Sequence, residues 1–334
     1  MKKIVTLGEI MLRLTPPGNK RFLQAESLDV TFGGGEANVA VSLAGYGYNA
    51  EFVTKLPPNP IGDCAVAALR KMNVKTDNII RGGDRIGIYF LESGSAMRPS
   101  NVVYDRANSA ISTAKAEEFD FDRIFDGADW FHISGITPAI SKSAAEITEK
   151  ALIAAKQKNI TISFDINFRS KLWTVDEAAK TMKKLVPYVD VCFGNKWDAK
   201  NIMGLDIPDD ASVKDACKIM SDAFGFKYII SSMRESRSAS DNGWSACIYS
   251  AETDELYTSK KYNISPIVDR VGAGDSFAGG VICGLLDGKS FQDALEFGVA
   301  ASALKHTIPG DFNNVTRAET EALAGGDASG RVRR

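Results

Sequence analysis

Histidine is scarce in this chain, with His132 and His306 the only two in 334 residues. A histidine-rich metal centre or a Ser-His-Asp triad is therefore poorly supported. His132, inside the apolar run WFHIS, reads as a core side chain. CxxC pairs are also missing. The five cysteines, Cys64, Cys192, Cys217, Cys247 and Cys283, are odd in number and scattered, as small buried hydrophobes of a reducing, cytoplasmic compartment are. No basic run of six interrupts the chain, and 40 Lys+Arg against 42 Asp+Glu leave a net charge of -2. That balance has no footprint for nucleic acid or an acidic membrane surface. No stretch approaches the roughly 18 uninterrupted apolar residues of a membrane span. The N-terminal MKKIVTLGEIML is broken by Glu9 and Arg13 too early for a signal sequence and reads as a buried first strand.

What is present is an ordinary globular balance, 44% hydrophobic and 25% charged, with material for a sizeable core. Short runs rich in Val, Ile and Phe, at 3–9, 130–134, 161–167, 189–195 and 227–232, have the character of strands buried on both faces. Between them, 141–159 and 174–186 are amphipathic, open on Ser or Thr, and carry acids early and lysines late, as capped helices do. This order predicts an α/β fold with a mostly parallel central sheet covered by helices and a ligand site beyond the carboxyl ends of the strands. Residues 10–32 and 84–107 instead alternate apolar with polar residues and predict half-buried antiparallel strands forming a small lid. No linker divides the chain, so one domain is expected over 1–324, followed by a glycine-rich, flexible tail at 325–334.

Known phosphate-binding patterns narrow the chemistry. GLLDGKS at 284–290 has its first glycine one position too close for a Walker A loop, and it ends a helical pattern rather than following a strand. A GxGxxG fingerprint is missing after the first strand. There remains VDRVGAGDSFAGGV at 268–281, where Gly272, Ala273 and Gly274 lead into a small-residue helix. Free amides at a helix start, with side chains trimmed to Gly and Ala, let a polyphosphate meet the positive end of the helix dipole. A carboxylate beside such an anion hole, here Asp275, repels the anion, so its use must lie elsewhere, such as taking a proton from a hydroxyl aligned with a γ-phosphate. The bland alternative is a plain helix cap. A bulky residue at Gly274 is expected to crowd the phosphate and to strain any left-handed backbone there.

DRVGAGDSFAGG, together with GGGEANVAVSLAGYG at 33–47, resembles the two signatures of the ribokinase/PfkB carbohydrate kinases, in the family's order and positions. The resemblance covers about residues 1–324 and implies a ribokinase-like three-layer α/β/α fold, with ATP and Mg2+ as cofactors. Tyr104 and Arg106, two apart on a strand, project from one face, where a ring can cover a sugar while a guanidinium grips an anion. With Tyr89, SGITPA at 134–139, and Arg169 in DINFRSKLW, they resemble the members that phosphorylate the terminal hydroxyl of the sugar acid 2-keto-3-deoxygluconate. A neutral sugar such as fructose, a nucleoside, or a role as a non-catalytic sugar-binding regulator are the alternatives, and the arginines could instead be solvated or paired with Asp105 and Asp165.

The resemblance also distributes roles. It places Asp275 as base and Gly272, Ala273 and Gly274 as the anion hole. Gly34, Tyr89, Tyr104, Arg106 and Arg169 would contact the sugar acid, with Asn38 supporting the glycine loop and Asp311 closing the far side. Asn167, Asn195, Ser232, Arg234 and Val299 would meet the nucleotide. Asn195 and Asp198 fall on the family's Asn-x-x-Glu motif, which organises magnesium through water, with aspartate here in place of glutamate. Residues 233–244, MRESRSASDNGW, read as a remodelled nucleotide loop. Potassium dependence is not expected, because Val271 lacks a hydroxyl. A homo-oligomer built on the lid is expected.

Overall fold

The five apolar runs become five neighbouring strands of one sheet in the computed structural model, which describes residues 1–331; positions 332–334 of the expected tail lie outside the described residues. Tyr228–Ser238, Val191–Phe193, Thr161–Asp165, Trp130–Ser134 and Lys3–Leu7 run parallel in that order, and Asn49–Val53 adds a parallel edge. Antiparallel Asp241–Ser250, Glu255–Thr258 and Tyr262–Ile264 complete the nine-stranded sheet.

Because side chains alternate across a strand, each central strand feeds two cores. Phe131, Ile133 and Phe164 pack with residues of helices Lys142–Gln157, Val175–Leu185 and Val213–Phe224. Ile4, Trp130 and Val191 share the other core with helices Gly35–Gly45, Ala273–Leu286 and Phe291–Lys305. The result is three layers, α/β/α. Each phenylalanine buried this way contributes about 1.5–3 kcal/mol relative to leaving it in water. His132 sits in the sheet with Nδ1 2.8 Å from Ser163 Oγ, and burial lowers its pKa to about 3, so it is the neutral core residue expected. Helix starts follow the expected caps: Ser141 accepts from the amide of Ala144, and Thr174 and Glu177 form a reciprocal capping box. Among the described residues no helix is long and apolar enough to cross a membrane.

The two alternating segments form a second sheet, ordered Asp29–Gly33, Met11–Thr15, Gly87–Glu92, Asn101–Asp105, with its central pair parallel. It covers the carboxyl end of the main sheet. Three expectations are overturned: the lid's central pair runs parallel rather than antiparallel, Cys64 is exposed rather than a buried hydrophobe, and residues 233–244 are not an irregular loop. They form a hairpin of strands Tyr228–Ser238 and Asp241–Ser250, with Arg234 directly opposite Trp244. Cross-strand charge supports it, since Lys261 Nζ lies 2.5 Å from Glu235 and Arg237 Nη1 3.1 Å from Asp241.

Small residues in the helix that begins at the glycine turn let it pack tightly. A Cβ on Gly280 would lie 2.7 Å from the Cα of Gly298 in the next helix. Gly280→Val should therefore destabilise the fold by about 1–3 kcal/mol through overpacking, read as a lower urea midpoint with an unchanged slope. A wild-type midpoint would show that the two helices are not packed this closely.

Candidate active site

Beyond the carboxyl ends of the parallel strands, under the lid, lies a cavity of about 960 Å³. Its floor carries Gly272, Ala273, Gly274 and Asp275, its lid side Tyr89, Tyr104 and Arg106, and its far wall Asp165, Asn167, Arg169, Asn195, Asp198, Ser232 and Arg234. Gly34 and Asn38 also line it. Most of the residues singled out by sequence therefore meet in one place.

The turn at its centre is built on Gly272, which caps helix Ala273–Leu286 in the left-handed region at φ 80°. A Cβ there would stand 2.1 Å from the carbonyl oxygen of Asp311, so both conformation and space demand glycine. Gly274 is the other case. Its backbone is not left-handed, and a Cβ on it would meet nothing within 4 Å, so the strain expected at Gly274 belongs to Gly272. The open space over Gly274 is room for an anion. Ala273 buries its methyl and donates its amide to the carbonyl of Arg270 at 3.3 Å, whereas the amides of Gly272 and Gly274 have no protein acceptor among the described residues. Among the described residues, the open amide donors at this helix start are those of Gly272, Gly274 and Asp275.

Asp275 Oδ2 accepts from Asn38 Nδ2 at 2.7 Å, while Asn38 Oδ1 accepts from the Gly34 amide at 3.3 Å. The two glycine signatures are thus joined by one side-chain amide whose orientation both bonds agree on. Desolvation raises the Asp275 pKa to about 6, with Asn38 and the field of Arg169 opposing it. Asp165, which no motif singled out, ends strand Thr161–Asp165 and is held by the Asn167 amide at 3.1 Å. Burial, then the charge of Asp275, pushes it up to about 7, against Arg169. An acid at the carboxyl end of a buried strand was the signal available for finding it.

Asn195 and Asp198 form a reciprocal capping box: Asn195 Oδ1 accepts from the amides of Trp197 and Asp198, and Asp198 Oδ2 accepts from the Asn195 amide at 3.0 Å. Spacing of three residues is what such a box requires. Burial still raises Asp198 to about 6 where it lines the cavity, against the hydrogen bond from the Asn195 amide.

The cations separate. Arg106 is committed to Glu9, with Nε 2.8 Å from Oε2, and Ser109 Oγ holds the other oxygen at 2.5 Å. Its sequence neighbour Asp105 pairs with Arg85 instead, at 2.9 Å. Arg169 is exposed in the cavity wall and has no ion-pair or hydrogen-bond partner for its guanidinium among the described residues. Tyr104 stands across from Tyr89 in the lid ladder, ring centroids 6.1 Å apart, with the Arg106 guanidinium 5.5 Å from the Tyr104 ring centre.

Two expected contacts are corrected. Val299 is fully buried in helix Phe291–Lys305 among core side chains and does not line the cavity. Asp311 is 3% exposed and lies behind the cavity wall, both carboxylate oxygens 2.7 Å from the Tyr89 hydroxyl and Oδ1 2.8 Å from Arg13 Nη1. It acts on the site through Tyr89. Sequence reasoning passed over Glu9, Glu36, Trp244 and His306, which also line the cavity. Glu36 was visible as an acid within an apolar helical run; its Oε1 is buried against Ser134 and Thr137, both at 2.7 Å.

A nucleotide-sized cleft with an anion-accepting helix start and a desolvated carboxylate beside it defines a small-molecule phosphotransferase. The model for the pfkB family of carbohydrate kinases matches residues 1–316. The 2-dehydro-3-deoxygalactonokinase of Haloferax volcanii is 37% identical over 329 residues, 98% of each chain. The crystal structure of 2-dehydro-3-deoxygluconokinase from Thermotoga maritima superposes with a TM-score of 0.94 at 51% identity, covering 98% of this chain and 100% of that one. An uncharacterized sugar kinase from Pyrococcus horikoshii, solved in complex with ATP, shares the fold at 19% identity with a TM-score of 0.75, covering 95% and 96%. The chain belongs to the PfkB family of carbohydrate kinases and has its ribokinase-like fold.

The pH response of the base follows from its surroundings. With Asp275 proposed as the base, kcat/KM should rise as pH increases through about 6 and then level, because proton abstraction needs its ionised form. Asn38→Ala removes a hydrogen bond that favours the ionised form, and the acid limb should move up by about one pH unit. A pH–rate profile of the variant that overlays the wild type would remove Asn38 from this role.

Proposed function

We propose that the protein transfers the γ-phosphate of ATP to the terminal hydroxyl of a 2-keto-3-deoxy sugar acid, with 2-keto-3-deoxygluconate giving 2-keto-3-deoxy-6-phosphogluconate as the leading reaction. The observation that carries the acidic acceptor is Arg169, whose guanidinium in the cavity wall has no partner among the described residues and whose charge is felt at Asp275 and Asp165. A charged hydrogen bond to a substrate carboxylate in a partly dry site contributes about 1.5–3 kcal/mol. Relatives named for 2-dehydro-3-deoxygluconate and 2-dehydro-3-deoxygalactonate agree with this class, and both acceptors belong in the assay.

In this reading the sugar lies between the Tyr89 and Tyr104 rings and the floor. Its carboxylate faces Arg169 and its terminal hydroxyl faces Asp275. Asp275 takes the hydroxyl proton, and the amides of Gly272 and Gly274 receive the charge on the phosphate oxygens. Asn167, Asn195, Ser232 and Arg234 border the nucleotide side. Asp165 and Asp198 suit Mg2+: they are hard oxygen donors whose pKa values burial raises, and magnesium needs only one or two carboxylates when phosphates supply the rest. When bound, the ion neutralises phosphate charge.

One observation favours a second reading. Arg106 is already neutralised by Glu9, which leaves Arg169 to hold an acid without its expected companion and fits a neutral acceptor such as fructose better than two free arginines would. Substrate competition decides it. Asp275→Asn should bind sugar normally yet lose about two to four orders of magnitude in turnover, and more than a tenth of wild-type kcat would exclude Asp275 as base. Arg169→Leu should lower kcat/KM for the sugar acid by about tenfold to a hundredfold, mainly through KM, with fructose unaffected. A wild-type preference for fructose, or equal loss on both sugars, would transfer the assignment to a neutral-sugar kinase.

A further inference from the structure

Lid and anion-binding turn belong to different sheets, and one buried side chain ties them. Arg13, on lid strand Met11–Thr15, is 3% exposed and reaches out of its own sheet. Its Nη2 lies 2.6 Å from Asp269 Oδ2, its Nη1 2.8 Å from Asp311 Oδ1, and its Nε donates to Thr15 Oγ1 at 2.9 Å. Each acid it holds governs a different part of the turn. Asp269 Oδ1 accepts from the Val271 amide at 3.0 Å and Oδ2 from the Gly310 amide at 3.1 Å, so its carboxylate sets the backbone on both sides of the turn. Asp311 presses its carbonyl against Gly272 and its side chain against Gly33, where a Cβ would come within 2.1 Å in each case. Tyr89, directly across from Arg13 in the lid ladder, donates its hydroxyl to the same Asp311.

Stability alone is a weak reason for such a cluster. A buried arginine between two acids loses about as much hydration free energy as it recovers in attraction, and apolar replacements of similar volume are often as stable. What an apolar side chain cannot do is hold two carboxylates in a fixed fork geometry. Among the lid residues, Arg106 is paired with Glu9 and Tyr89 reaches Asp311, so Arg13, bound to both Asp269 and Asp311, is the charged link that registers the lid with the turn from behind.

We propose that Arg13 is a positioning residue for phosphoryl transfer, holding the Gly272–Gly274 anion turn in register with the sugar-covering lid through Asp269 and Asp311. This rests on the phosphotransfer reading of the site. Arg13 touches neither sugar nor phosphate, since it does not line the cavity. Its effect is therefore on alignment and should fall on turnover rather than on affinity.

The test uses full-length Arg13→Lys, Asp269→Asn and the double variant Arg13→Lys/Asp269→Asn, which keeps a cation beside buried Asp311. Arg13→Lys keeps the charge but loses the fork. Its kcat should fall about a hundredfold, as misalignment by about an ångström does. The KM for the best sugar acceptor and for ATP should stay within about threefold and the melting temperature within a few degrees. The losses of Arg13→Lys and Asp269→Asn should not multiply in the double variant, because both break one contact. Hydrogen exchange of ligand-free protein should quicken in peptides spanning 268–276 and 306–311. Folded Arg13→Lys with kcat within about threefold of wild type would overturn the proposal, as would a kcat loss with exchange in those peptides unchanged. Should wild type phosphorylate no sugar acid, the substrate assignment fails by itself; kcat is then read on the preferred sugar, and the exchange measurement, which needs no substrate, still decides the role of Arg13.

Discussion

A single 2.7 Å hydrogen bond, from Asn38 Nδ2 to Asp275 Oδ2, joins the two ends of this chain at its reactive centre. Asn38 sits in the first turn of helix Gly35–Gly45 and Asp275 in the first turn of helix Ala273–Leu286, so two helix starts point at one place. The glycines around them exist to let that happen. Gly34 runs so close to the Glu9 backbone that a Cβ would overlap the carbonyl at 1.9 Å, and Gly272 is equally closed in by Asp311. The small residues of the second helix then bring it against helix Phe291–Lys305, which fixes the depth of the turn in the cavity. The Asp275 carboxylate is aimed by packing well outside the cavity.

Charge in the cavity is arranged so that the acids outnumber their local partners. Asp275, Asp165 and Asp198 all have raised pKa values, and burial is the leading cause in each. A site left in this state favours cationic company and disfavours a second acid, unless the incoming anion brings a metal ion with it. Arg169 is the cation whose field opposes that balance at Asp165 and Asp275. Arg106, the more conspicuous residue in the lid pattern, is held by Glu9 and contributes its position over the Tyr104 ring. Electrostatically the two arginines are not equivalent.

Much of the frame was legible from the residues alone. Fully buried parallel strands need continuous Val, Ile and Phe runs, so the five central strands, the helices capped by Ser141 and Thr174, and the alternating lid strands were readable from local pattern. GAGD at a helix start carried its chemistry locally as well, because free amides and a first-turn carboxylate are properties of a few consecutive residues. The Asn195–Asp198 spacing was equally local, although its capping role emerged only with the backbone in view.

Partnership was decided by the tertiary structure. Whether a guanidinium is free or neutralised depends on side chains far along the chain, as Arg106 with Glu9, 97 residues away, and Arg13 with Asp311, 298 away, demonstrate. The same holds for Val299 and Asp311, whose types fitted site roles but whose burial removes them from the cavity. Residues 233–244 follow the same principle: a polar, serine-rich stretch has little strand preference of its own, and the facing strand Asp241–Ser250, with the Lys261–Glu235 ion pair beside it, supplies the pairing. Sequence alone determined the elements and the types of chemical group available, since periodicity and helix-start chemistry are short-range. Tertiary structure decided which of those groups are charged, paired or open to a ligand, because desolvation and Coulomb fields act through space without regard to separation along the chain.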